Sequence, residues 1–264
     1  MGQYHQQTSS SPNTSGKTSI KMGIIVAVVL LLSIGILVSI LLMHGENAPD
    51  YAQHKNLAEV TNTISAESVK IGDYITFGHY EQDNDLSNGK ENIEWLVLDI
   101  QDGKALVISK YGLECMPYHA ALKEVTWETC SLRSWLNVGF IYEAFSSDEQ
   151  AMIPTVTVSA DKNPDYDTDS GNTTEDQIFL LSIEDVNKYF RTDRHRICKS
   201  TDYAVSNGVF ETNDGCCWWW LRTPGCIQNR VAIVYSVGGV FGSGHDVNFD
   251  NYAVRPAMWI TLED

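Results

Sequence analysis

The 264-residue chain sets 34 acidic residues against 18 basic ones, a formal net charge of −16 at neutral pH, with 43% hydrophobic residues. That balance repels polyanions and excludes nucleic acid as a partner. Six cysteines are too few for a disulfide scaffold in a chain this long, and the length is enough to bury a core without metals or bridges.

Residues 1–21 are rich in Gln, Ser, Thr, Gly and Asn without apolar periodicity, and they read as a disordered cytoplasmic tail. Met22 to Met43 follows as 22 residues without a charge, 15 of them Leu, Ile or Val. As a helix this run reaches about 33 Å, against a hydrocarbon core of roughly 30 Å. It is too long for a cleaved signal peptide, and Leu41-Leu42-Met43-His44 is a poor cleavage site. Lys17 and Lys21 before the run, with Glu46 and Asp50 after it, orient it as a signal anchor with its amino end in the cytoplasm. The expectation is therefore a cell-membrane protein with the lipid bilayer as partner through residues 22–43. All 34 acidic residues lie beyond the run.

Residues 44–67 read as a juxtamembrane linker, and residues 68–264 as one extracellular domain. Ile71 to Phe77 alternates like a strand. Trp95–Ile100 and Ala105–Ser109 flank Gln101-Asp102-Gly103-Lys104, a hairpin signal because Asp-Gly suits a turn with positive φ. Thr129 is positioned to cap a short helix through Leu136, with Leu132, Trp135 and Leu136 on its apolar face. Ser146 with Glu149, and Ser182 with Asp185, are capping-box patterns opening two more helices, the second running to Phe190. Ile178 to Leu181 reads as a buried strand. The last third is rich in Gly and aromatics, with short apolar runs at Trp218–Leu221, Val231–Tyr235, Val240-Phe241 and Val254–Ile260. Short helices followed by a strand-and-loop half predict an α+β fold: a single-pass membrane helix, then one mixed ectodomain.

Within the Trp218-Trp219-Trp220 run, alternation puts the outer two on one face and Trp219 on the other. One face belongs to the core, and the other is a candidate platform for a sugar or aromatic ligand. Arg222 and Arg255 stand in otherwise apolar segments, where a guanidinium needs carbonyls or an acid such as Asp99. Arg255, ahead of Pro256 in the closing strand, is assigned to the core with Trp135 and Trp259. Arg222, ahead of the turn-forming Thr223-Pro224-Gly225, joins Trp218, Trp220 and Asp246 as a candidate ligand-binding set. Asp165, Asp167 and Asp169 alternate like the start of an EF-hand loop, but Ser170 stands where Gly belongs and Asp176 where a bidentate Glu belongs. Calcium is the one metal this pattern admits, on Asp165, Asp167, Asp169 and Asp176; no other cofactor is expected. Cys115, Cys130, Cys198, Cys216, Cys217 and Cys226 allow 15 full pairings, or remain as buried thiols.

Several of these segments together resemble one bacterial family. They are Trp95–Asp99, Thr126–Asn137, Phe179–Ser182, the run Trp218-Trp219-Trp220-Leu221-Arg222-Thr223-Pro224-Gly225, and Val254-Arg255-Pro256-Ala257-Met258-Trp259. Over residues 68–264 they look like the domain of unknown function 6273, common in surface proteins of gut Firmicutes. The resemblance carries no activity with it. It implies an analogy to the C-type-lectin or formylglycine-generating-enzyme fold, which does not license a function. The reading that follows is a membrane-anchored extracellular module that binds a glycan or protein ligand or serves structurally. Its alternative is an extracytoplasmic oxidase or hydrolase of the lectin-like fold class, for which Cys217 or Cys226 would supply the reactive thiol. No nucleophile elbow, HExxH, Walker loop or dinucleotide fingerprint occurs.

Overall fold

Two five-stranded sheets carry the architecture of the computed structural model, which describes residues 64–263. The first runs β1 (Tyr74–Tyr80), β2 (Glu91–Gln101), β3 (Lys104–Ser109), β15 (Ala257–Thr261), β8 (Ile178–Phe179), with every pairing antiparallel. The second runs β13 (Val240–Asp246), β12 (Arg230–Val234), β11 (Trp219–Pro224), β14 (Ala253–Val254), β5 (Glu114–Cys115). Smaller pieces are the triplet β10 (Cys216–Cys217), β9 (Cys198–Ser200), β4 (Tyr111–Gly112) and the ribbon β6 (Val156–Val158) with β7 (Thr174–Asp176).

The β2–β3 hairpin forms where the sequence places it. Gln101 pairs with Lys104, and Asp102 (φ 50°) and Gly103 (φ 69°) both take the positive φ of a two-residue turn. The apolar alternation then buries Ile93, Trp95 and Val97 of β2 against the core, while the Trp95 indole N–H donates to the Phe77 carbonyl at 2.7 Å.

The closing segment, expected as one strand over Val254–Ile260, is two. Val254 ends β14 in the second sheet and Ala257 begins β15 in the first, with Arg255-Pro256 crossing between them. Proline has no N–H to give a ladder, so the break falls there.

Six short α-helices among the described residues decorate the sheets: α1 (Ser131–Trp135), α2 (Ile141–Ala144), α3 (Ser147–Ala151), α4 (Ile183–Tyr189), α5 (Asp193–Arg196) and α6 (Asp202–Ser206). Both expected capping boxes are present, Ser146 with Glu149 ahead of α3 and Ser182 with Asp185 ahead of α4. The cap of α1 differs from expectation. Cys130 Sγ, rather than Thr129, accepts from the Arg133 N–H, because the Thr129 hydroxyl is turned back onto the Thr126 N–H. The helix also runs on, through a π turn at Leu136–Phe140, into α2.

The expected fold class is corrected. The described residues form a mixed, sheet-rich domain in which helices are short and peripheral. No helix among them is long and apolar enough to cross a membrane, and Met22–Met43, on which the single-pass helix was placed, lies outside the described residues. The tail 1–21 lies outside them too. Ile64 reaches the core and Ser65 bridges to Glu263, so the described fold takes in residues ahead of Ser68.

Candidate functional site

The second sheet places an aromatic surface at its outer end, centred on Trp218. Trp219 and Trp220 are fully buried, and Trp218, just ahead of β11, is half-buried. Alternation sends Trp219 to the opposite side, where its indole N–H donates to the Arg196 carbonyl at 3.1 Å. Trp220 and Trp218 both meet the ring of Tyr252, at 4.7 and 5.5 Å between centroids. Trp220 is nevertheless sealed, between Tyr118 and Tyr252 and with its N–H on the Met116 carbonyl. Of the run, only Trp218 presents a face.

Around Trp218 stand Tyr235 at 4.8 Å, His245 at 5.8 Å and Phe210 at 6.1 Å, and its N–H donates to Ser236 Oγ at 3.3 Å. Phe241 contacts Tyr235 and His245; Phe249 contacts His245 and Tyr252. Seven rings are therefore contiguous. Phe210 is 53% exposed and Phe249 39%, while Trp218, Tyr235, Phe241 and His245 are half-buried.

The β12–β13 hairpin holds three of these rings. Its return strand lies close on β12, because an added Cβ at Gly244 (φ +69°) would stand 2.3 Å from the Val231 carbonyl oxygen, so only glycine fits. Partial burial and the neighbouring Arg230 charge hold His245 below the ordinary histidine value, with Asp246 opposing them, and burial pushes Tyr235 and Tyr252 up, the latter to about 12. The face is thus uncharged near neutral pH, with phenol and imidazole groups at its edges.

The other expected ligand residues do not join it. Asp246 pairs with Arg230 across the hairpin at 2.8 Å, at the rim of the face. Arg222 is 6% exposed and makes four hydrogen bonds: Nε donates to the Ser159 carbonyl, Nη1 to the Leu180 carbonyl and to Asp185, Nη2 to Asp161 at 2.5 Å. It lies beside a cavity lined with Val158, Phe179, Tyr189 and Trp259, away from Trp218. Trp135 packs on Phe140 at 5.4 Å.

Arg255 is 3% exposed, donates to the carbonyls of Ser109 (2.9 Å) and Arg196 (3.5 Å), and lies 4.9 Å from the Trp219 ring. Asp99 is not its partner; that carboxylate accepts from Tyr189 and faces Lys188. Close to Arg255, Cys198 and Cys217 stand directly opposite each other in β9 and β10. Burial raises the Cys198 thiol, but the hydrogen bond with Cys217 and the Arg255 charge outweigh it and bring it below the ordinary thiol value, while Cys217 is held well above. All six cysteines are thiols, and Cys217 is fully buried, so it offers no reachable nucleophile.

The structure does not gather the EF-hand-like residues. Asp176 is 1% exposed and consumed by Arg133 (2.7 Å), the Trp127 N–H (2.9 Å) and the Thr174 hydroxyl (2.6 Å), whereas Asp165, Asp167 and Asp169 stay on an exposed loop. Among the described residues the carboxylates that do converge are Glu81, Asp83 and Glu91.

One protein family, described as a domain of unknown function (DUF6273), matches residues 102–262. The chain belongs to this family. No curated protein and no solved structure matches the chain, so the lectin-like and formylglycine-enzyme-like analogies gain no support. The DUF6273 match begins inside the β2–β3 turn, yet β1 and β2 complete the same sheet as β3, so the folded unit extends ahead of the matched stretch. Every ring of the aromatic face lies within it.

Trp218 was legible in the sequence as a member of this face; the rings around it were not. Phe210, Tyr235, Phe241, His245, Phe249 and Tyr252 come from four separate segments with no shared spacing. The one local signal was the glycine-punctuated stretch Gly238–Gly244, which marks a tight hairpin without saying what it carries.

Proposed function

We propose that this DUF6273 domain is a ligand-binding module that takes the sugar rings of a glycan on the aromatic face around Trp218. The observation that carries the reading is the contiguity of seven rings, four half-buried and two more exposed, on one end of a sheet. Scattered exposed aromatics need no explanation, but a contiguous patch rimmed by polar groups marks a binding surface. Sugars present apolar C–H faces between hydroxyls. A neutral platform of flat rings edged by the Tyr235 hydroxyl, His245, Ser236 and the Arg230–Asp246 pair matches that chemistry better than it matches a charged ligand. Aromatic side chains also lose little conformational entropy when they bind, which suits a shallow site.

A glycan array probed with the full-length chain is the test. Binding to a defined set of saccharides is expected, and it should be lost in Trp218→Ala and in Phe249→Ala. An array without signal from the wild-type chain, or a signal that both variants retain, removes the reading.

A further inference from the structure

Glu81 directly follows β1, Asp83 stands two residues on, and Glu91 opens β2 opposite Tyr80. The root of this hairpin brings one carboxylate oxygen from each of the three within 4.8 Å of the other two. The loop between them is fixed: Glu91 accepts from the N–H groups of Gln82 (2.7 Å) and Asp83 (3.3 Å), and the Gln82 carbonyl accepts from the Tyr203 N–H at 3.0 Å. Asp83 accepts from the Asp85 N–H (2.8 Å) and the Asn88 amide (2.7 Å).

Glu81 stands apart from the other two. It is only 5% exposed, and its Oε1 is buried without any hydrogen-bond partner. Buried polar atoms in folded proteins are almost always partnered, and a buried carboxylate beside two others, unless it takes up a proton, needs a positive charge. None is supplied by the protein: among the described residues no ion pair includes Glu81, Asp83 or Glu91, and the adjacent Lys90 is engaged with Glu143 instead.

We infer that Glu81, Asp83 and Glu91 form a calcium site. The donors are all oxygens, which suits a hard divalent cation rather than zinc or copper. Calcium tolerates irregular geometry and fills its shell with water, whereas magnesium demands a near-ideal octahedron. Room for that water exists, because Asp83 also lines an open cavity of about 230 Å³ with Gln82, Tyr111, Ser200, Thr201 and Asp202. The site lies ahead of the family-matched stretch and is independent of the aromatic face.

Calorimetric titration of calcium chloride into the chelator-stripped full-length chain, with thermal unfolding followed in parallel, tests the assignment. One saturable site is expected, with a Kd of about 0.1 to 1 mM, the weak end of the range for protein calcium sites, together with a calcium-dependent rise in Tm. Asp83→Asn, an exposed position whose change leaves the core intact, should weaken binding tenfold or more. Glu81→Gln should abolish it. Asp165→Asn should leave it as in wild type. No saturable heat and no shift in Tm up to about 10 mM calcium would overturn the site, as would unaltered binding in Asp83→Asn, the variant that decides the matter if Glu81→Gln does not fold.

Discussion

Arg222 and Arg255 look alike in the sequence, each a lone charge in an apolar segment, and the structure makes them different. Arg222 joins two carboxylates, and one of them, Asp185, also accepts from the Ser182 N–H in the capping box of α4. Arg222→Met therefore strands two acids and loosens a helix start, and it is expected to cost about 3–5 kcal/mol. Arg255→Met leaves no carboxylate behind and is expected to cost less. Chemical denaturation of both variants checks the order; an Arg255 variant less stable than the Arg222 variant would contradict it. That each arginine needed partners was legible in the sequence. Which partners was not, because Asp161 and Asp185 reach Arg222 from separate segments. His119 adds a pH dependence. Its Nδ1 accepts from the Ser131 N–H at 3.1 Å, which requires the neutral ring, and burial with the nearby Lys123 charge lowers its pKa. A base whose folded pKa is depressed leaves stability intact above the unfolded value of about 6.5 and removes it as pH falls below. Tm should drop between pH 7 and 5, and less steeply in His119→Asn, which keeps an acceptor that does not titrate. Equal slopes for both proteins would exclude His119 as a source.

Elements whose signals are local were readable. The Asp102-Gly103 turn and the two capping boxes each depend on four adjacent residues, and each appears where its pattern stands. Elements decided by distant partners were not. The Val254–Ile260 run is split between two sheets, and Thr129 gave up its cap to a turn. Two glycines separate backbone strain from crowding. Gly103 (φ +69°) has open space around it, so Gly103→Ala should cost about 1–2 kcal/mol from the left-handed backbone alone. Gly244 has the same φ, but an added Cβ would meet the backbone of Val231, so Gly244→Ala should be markedly worse. Urea midpoints of the two variants test this, and equal losses would refute the crowding argument.

At the scale of the whole fold, one core cluster among the described residues takes in Trp219, Trp220 and both strands flanking Arg255-Pro256. The ring cluster around Trp218 is a contiguous aromatic group that this core leaves partly uncovered. The sequence announced one of its members through a rare tryptophan triplet, and the rest became visible only once β12, β13 and the 249–252 segment converged. Whether those rings bind a ligand decides what the domain does. The direct measurement is calorimetric affinity for the strongest glycan from the array, compared across Phe210→Ala and Phe249→Ala, the two most exposed rings of the face, and Leu86→Ala, which is 78% exposed and elsewhere. If the rings hold the glycan, each face variant loses tenfold or more in affinity with little change in Tm, and Leu86→Ala keeps wild-type affinity. Wild-type affinity in both face variants would contradict that role.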